Sequence, residues 1–184
     1  MTGVQTCALP ICALENIRRG QYEQLRELVK TDVSRRPDIG GAQLHSTAGA
    51  TVVGARKFLI AFNVNLDTPD VGAAKAIARK IRASGGGLPS LKAIGVLLKN
   101  GAGEPHAQVA MNLTDFEETS IPAAYQAVAR AAHALGVKLA SSELVGLAPQ
   151  AAFAGAALAE VGLPESAADQ IFERRLARLL PASV

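Results

Sequence analysis

From Phe58 to Leu66 the chain reads Phe-Leu-Ile-Ala-Phe-Asn-Val-Asn-Leu, with Phe58, Ile60, Phe62, Val64 and Leu66 at every second position. Successive strand side chains point to opposite faces, so this period of two buries one face and leaves the other to Ala61, Asn63 and Asn65. Such a strand needs cover, and the following residues supply it. Asp67-Thr68-Pro69-Asp70 ends the strand, with Thr68 or Asp67 expected to cap the next helix and Pro69 suited to its first turn. A helix over 70–84 buries Val71, Ala74, Ile77 and Ile81, turns Lys75, Arg79, Lys80 and Arg82 outward, and stops at Gly85–Gly87.

Strands over 91–98 and 107–113, joined by a turn, form a hairpin. Ser120-Ile121-Pro122 opens a helix that reaches Leu135, and residues 137–147 make a fourth strand. Strand, helix, strand, strand, helix, strand is the ferredoxin-like βαββαβ order, an α/β sandwich with an antiparallel sheet. Its first and third strands sit side by side at the sheet centre, and both helices lie on one face. Pro149 to Glu160 and Pro164 to Leu180 read as additional C-terminal helices.

Ahead of this block, residues 13–30 have mostly helical spacing broken at Gly20, giving a short helix and a second over about 21–30. Residues 31–50 are polar and glycine-rich, without periodicity, and read as a loop. A loop that long inside a compact domain is usually functional or disordered. Residues 1–12 carry both cysteines, Cys7 and Cys12, which argues against a disulfide framework or a cysteine metal site. This segment has no basic n-region and too short an apolar run for a signal peptide. Gln5 to Ile11 looks like the in-frame translation of a sequencing adapter, so residues 1–12 are expected to be non-native.

The formal charge of +3 suits an anionic ligand and is far from the dense basic stripe of a nucleic-acid binder. No apolar run approaches the roughly 20 residues that span a bilayer. With aromatics at 4% and no Trp, the core must be built from Ala, Val, Leu and Ile.

Candidate chemistry is sparse. Asn63 and Asn65 on the first strand share a sheet face with Gln108 and Asn112 on the third, forming a polar strip that can hydrogen-bond a planar heterocycle or can simply be solvated. Of the histidines, His106 and His133 read as surface residues, and His45 lies in the glycine-rich loop. No metal-ligand spacing occurs. The segment Gly40 to Gly49 lacks the Gly-Lys-Ser/Thr ending of a P-loop, yet its glycines allow backbone amides to approach a ligand. Arg56 and Lys57 place two positive charges at the entrance of the first strand, to meet a carboxylate or water. Asp115, Glu117 and Glu118 suit a helix N-terminus. Glu143 falls in the fourth strand in the phase of Leu139 and Val145, either functional or near an edge.

Five ordered blocks resemble the formimidoyltransferase family: IRRGQYEQL, GATVVGARKFLIAFNVNLDT, IARKIRASGGGLPSLKAIG, AQVAMNLTDFEET and SSELVGLAP. Together they cover essentially residues 13–163. The resemblance implies a cytoplasmic transferase of histidine degradation that moves the formimino group of N-formimino-L-glutamate to tetrahydrofolate. It implies two α/β subdomains with folate in a positively charged tunnel between them, no metal, and a homodimer. On this reading residues 13–57 close the N-terminal subdomain and 58–184 form the C-terminal one. The implied folate loop comprises Gly40, Gly41, Ala42, Gln43, Leu44, His45, Ser46, Thr47, Ala48 and Gly49. Arg56 and Lys57 become candidate carboxylate partners, and Asn63, Gln108 and Asn112 candidate tunnel residues. The family's catalytic histidine lies upstream of that loop and matches no residue here, so no residue is expected to be catalytic and the chain alone is expected to be inactive. Nothing in the sequence encodes the cyclodeaminase to which some relatives are fused. Two other readings remain open: a hydrolase of the same formimino substrate, and a non-catalytic ferredoxin-like binding or assembly module.

Overall fold

A computed structural model describes residues 3–6 (backbone only), 17–40, 42–99 and 104–180. The chain divides into two compact units, Met1–Arg56 and Lys57–Val184.

In the first unit, β1 (Gly3–Thr6) pairs in parallel with β2 (Ala50–Val53), and α1 spans Gln21–Thr31. The expected break at Gly20 is real: its φ of 78° is left-handed, and a Cβ there would collide with the Gln24 side chain. Strand β2 departs from the expected loop-then-strand reading. Its four residues carry no alternation of their own and form a strand only through the partner that β1 supplies.

The second unit follows the expected order: β3 (Ile60–Leu66), α2 (Val71–Ile81), β4 (Leu91–Leu98), β5 (His106–Leu113), α3 (Ile121–His133) and β6 (Leu139–Val145). The sheet order is β4-β5-β3-β6, with every neighbouring pair antiparallel, so the first and third strands of the motif are central. Ile60, Phe62, Val64 and Leu66 are fully buried beneath the two helices, as the alternation requires. Burying each such side chain stabilises the fold by roughly 1.5–3 kcal/mol. Phe58 instead precedes the strand and stays exposed, with its ring 5.7 Å from that of Phe172.

Helix α2 is capped by Asp70, whose carboxylate accepts from the Gly72 amide at 2.8 Å, and not by Asp67 or Thr68. Thr68 acts one step earlier, accepting from the Asp70 amide, so Pro69 lies outside the helix. On the inner face Val71 is only half-buried, and Ala73, Ala74, Ile77, Ala78 and Ile81 form the contact. Gly95 on β4 faces this helix, and a Cβ there would strike the backbone of Ala74 and Lys75. Helix α3 starts as expected, with Ser120 accepting from Ala123 and Pro122 in the first turn.

The C-terminal helices are shorter than the sequence suggests. Three 3-10 segments, Gln150–Phe153, Leu158–Val161 and Glu165–Gln170, precede one α-helix, α4 (Phe172–Leu179). Left-handed Ala154 and Gly155 interrupt the first of the two expected helices, and left-handed Gly162 lies in the break expected between them. This segment covers the outer edge of β6. The Ser142 amide donates to the Gly162 carbonyl, and Gln170 Nε2 donates to the carbonyls of Leu144 (2.6 Å) and Gly146 (3.1 Å).

Candidate functional site

Within the second unit both long helices lie on one face of the sheet, and the other face carries the polar strip. Cross-strand register aligns it in rows. Val96, Gln108, Asn65 and Ser141 form one; Ile94, Ala110, Asn63 and Glu143 the next; Lys92, Asn112, Ala61 and Val145 the third. The four amides expected on this face are therefore all there.

They are not equivalent. Gln108 is only 3% exposed, and its Nε2 donates to Asn65 Oδ1 (2.8 Å) and to Glu143 Oε1 (2.7 Å). Asn63 donates to the same Glu143 oxygen at 2.9 Å and accepts from the Met111 amide at 3.2 Å. Asn65 donates to Ser141 Oγ at 3.0 Å. Asn112 is exposed in the third row and takes no part in these bonds. A buried amide is costly unless bonded, so Gln108 locks the network and the network fixes which way each amide faces.

Glu143 owes its place to a bulge. Register shifts between Asn65 and Leu66, so Leu66 pairs with Leu139 while Asn65 pairs with Ser141. Leu139 turns to the core and Ser141, Glu143 and Val145 turn to the open face. The simple alternation that put Leu139 and Glu143 in one phase fails at Ala140. Ser141 went unnoticed in the sequence; the signal was its place two residues before Glu143, opposite the two asparagines.

At one end of the strip an open depression of about 650 Å³ is lined by Asn65, Ser141 and Glu143 on the sheet and by Asp67, Thr68, Glu104 and His106 at the strand ends. His106 therefore borders the site, whereas His133 is exposed on α3. Among the described residues no group of three or more His, Cys, Asp or Glu is arranged to hold a metal ion.

Lys57 is already matched within its own unit. Its ammonium sits 2.8 Å from Asp115 Oδ2 and also pairs with Glu117. Hydrogen bonds from Lys57 hold Asp115 below the usual carboxylate range, and the same pairs raise Lys57 above its ordinary value. Glu118 accepts from Ser90 Oγ.

In the first unit the loop ends in a turn built on His45. Its Nδ1 accepts from the amides of Ala48 (3.0 Å) and Thr47 (3.3 Å), and its carbonyl accepts from the Gly49 amide (3.0 Å). Gly49 is left-handed (φ 67°), and a Cβ there would press against the Tyr22 ring. Gly40 is also left-handed, and Ala42, Gln43, Ser46, Thr47 and Ala48 are exposed, with Leu44 and His45 half-buried. Gly41 lies outside the described residues, as do residues 1–2 and 7–16, which hold most of the expected non-native segment and the start of the expected short helix. Arg56 is exposed.

Sequence comparison places this geometry among known proteins. Residues 61–161 match the formiminotransferase domain, and residues 11–56 match its N-terminal subdomain. The chain is 44% identical over 137 residues to the glutamate formimidoyltransferase of Streptococcus pyogenes serotype M1, covering 74% of this chain and 44% of that protein. It is 39% identical over 166 residues to the glutamate formimidoyltransferase of Thermoplasma acidophilum, covering 90% and 53% respectively. The formimidoyltransferase-cyclodeaminase of Rattus norvegicus is 40% identical over 150 residues, 78% of this chain and 27% of that protein. The chain thus spans about half the length, or less, of these relatives.

Proposed function

The chain belongs to the formiminotransferase family, and from that premise we propose that it supplies the folate-side part of an enzyme moving the formimino group of N-formimino-L-glutamate to tetrahydrofolate. The observation that carries this reading is the match to the formiminotransferase domain over residues 61–161, which takes in all of the four-stranded sheet but Ile60. The rest follows from what such a transfer requires. Both substrates bear carboxylates, which suits the net charge of +3. The pterin and the amidine both offer N–H groups, and the open sheet face offers oriented amide and carboxylate acceptors.

We assign folate contacts to the Gly40 to Gly49 loop, which ends in the His45 turn that holds left-handed Gly49. Asn63, Gln108 and Asn112 belong to the substrate face of the second unit, and Arg56 remains a candidate carboxylate partner. Tetrahydrofolate is a co-substrate, with no metal required. Transfer passes through a tetrahedral amidine adduct, so protons must move on and off nitrogen. We assign that acid–base role to a histidine outside this chain, as the family resemblance implies; His45 Nδ1 is engaged by its own loop. The parent protein is read as a cytoplasmic homodimer acting in histidine degradation, and the domain boundary as falling near Phe58.

Calorimetric titration of the chain with tetrahydrofolate tests the reading. Saturable binding that is abolished when Gly40 to Gly49 is replaced by a serine-rich linker supports it. Saturable binding that survives the replacement removes the loop assignment, and release of free formamide without folate would favour a hydrolase.

A further inference from the structure

We propose that Glu143 is the ligand-contacting acceptor of the open sheet face, held by Gln108 and Asn63 so that its outer oxygen receives an N–H donor of the substrate. This rests on the formimino-transfer reading and assigns one contact within it. Three observations converge. First, Gln108 is buried and absent from the lining of the depression, so it does not itself reach a ligand there. Both hydrogens of its amide are committed, one to Asn65 and one to Glu143. Second, Asn63 and Gln108 donate to the same oxygen of Glu143, filling its two lone-pair directions. The other oxygen has no hydrogen-bond partner among the described residues. Third, Glu143 is exposed and lines the depression beside Asn65 and Ser141.

A volume-matched apolar residue in place of Gln108 would bury without the cost of an amide, so the fold gains little stability from Gln108. What Gln108 does is fix a carboxylate two strands away. A charged acceptor fixed before binding loses less side-chain entropy on binding and accepts strong, charge-assisted bonds. The complementary ligand group is an N–H edge attached to a planar conjugated system. Two sources present one: the ring and amino N–H groups of a pterin, and the amidine of a formimino group. Gln108 is accordingly a positioning residue rather than a contact.

The test titrates the full chain and its variants with tetrahydrofolate, with N-formimino-L-glutamate and with p-aminobenzoylglutamate, which lacks both N–H edges. Glu143→Leu, with Glu143→Gln as the isosteric variant, should weaken one of the first two ligands roughly 10- to 100-fold and leave the third unchanged. Which of the two weakens identifies the pterin or the amidine as the source. Gln108→Met should weaken the same ligand about 10-fold while the thermal midpoint holds or rises. Equal binding by wild type and both Glu143 variants overturns this inference alone, as does equal weakening of all three ligands. Failure of the unsubstituted chain to bind any of them overturns the reading of this chain as the folate-side part, and this inference with it. A Gln108→Met variant that loses thermal stability but keeps its affinity makes Gln108 structural and removes its positioning role.

Discussion

The two units are built on different physics. In Lys57–Val184 a continuous core runs from Ile60 to Ile171, with four strands and two helices sharing it. In Met1–Arg56 only Val29 and Pro37 are buried among the described residues, while Val33, Ile39, Val52 and Val53 remain exposed. That first unit is shaped by local hydrogen bonds: the Asp32 cap on the Ser34 amide, the His45 turn and left-handed glycines. Hydrogen bonds of this exposed kind contribute little net stability, whereas apolar burial scales with area. The lesson is that a candidate ligand loop sits on the region with the least independent stability, and a rigid polar face on the region with the most.

The sharpest way to break this comparison is native-state hydrogen exchange. Amides of Phe62, Val64, Val109 and Met111 in the central strands should exchange only through global unfolding. Those of Leu25 to Val29 in α1 should open locally, on the order of a thousandfold faster. Matched protection in α1 would show that the first unit draws stability from something other than its own core.

Mutation should give the same ranking. Phe62 is fully buried at the sheet centre, and Phe62→Ala should cost about 3–5 kcal/mol in urea unfolding. Val29→Ala should leave that main transition where it is. A shift of the main transition by Val29→Ala would mean that the two units unfold together.

The contrast also explains what could be read from the sequence. In the second unit β3 was legible because alternation reports burial directly, and the pairing of β3 with β5 followed from the strand order. The bulge at Ala140 was not, since nothing local marks where register slips, and it misassigned Leu139 relative to Glu143. The C-terminal helices looked longer because alanine favours helix, and its propensity does not announce the left-handed backbone that Ala154 adopts. At the site, the shared face of Asn63, Asn65, Gln108 and Asn112 was legible from phase alone. The burial of Gln108 was not: phase assigns a face, not what neighbouring side chains cover. In the first unit β2 was hidden because its partner lies far off in sequence.

A smaller effect separates Asp70 from Thr68, one of the two caps that the sequence offered. Asp70 caps α2 through the Gly72 amide, so Asp70→Ala should cost about 1 kcal/mol. Thr68 only supports the Asp70 amide, and Thr68→Ala should cost less. The reverse ranking in urea midpoints would restore Thr68 as the cap.

The smallest expected effect concerns the first residue of the second unit. Lys57 was a candidate partner for a ligand carboxylate, yet its ammonium is taken by Asp115 and Glu117. Hydrogen bonding from Lys57 is the main reason Asp115 titrates below its ordinary 3.8; burial opposes it, and backbone amides of Glu117 and Glu118 add to the lowering. A carboxylate whose folded pKa lies below its unfolded value contributes stability above about pH 4 and loses it as pH falls through the folded value. Lys57, raised from 10.5, contributes below that pH and loses its contribution only in strong alkali. Lys57→Met should therefore lower the urea midpoint slightly at neutral pH, with the gap to wild type closing as pH falls through the folded value of Asp115. A gap that persists in acid would assign the contribution of Lys57 to the packing of its aliphatic stem. Tetrahydrofolate affinity unchanged by Lys57→Met would follow from a charge already neutralised inside its own unit. A large loss of affinity would mean that the ligand outcompetes Asp115 and Glu117, and the second unit would then be less preorganised than its core suggests.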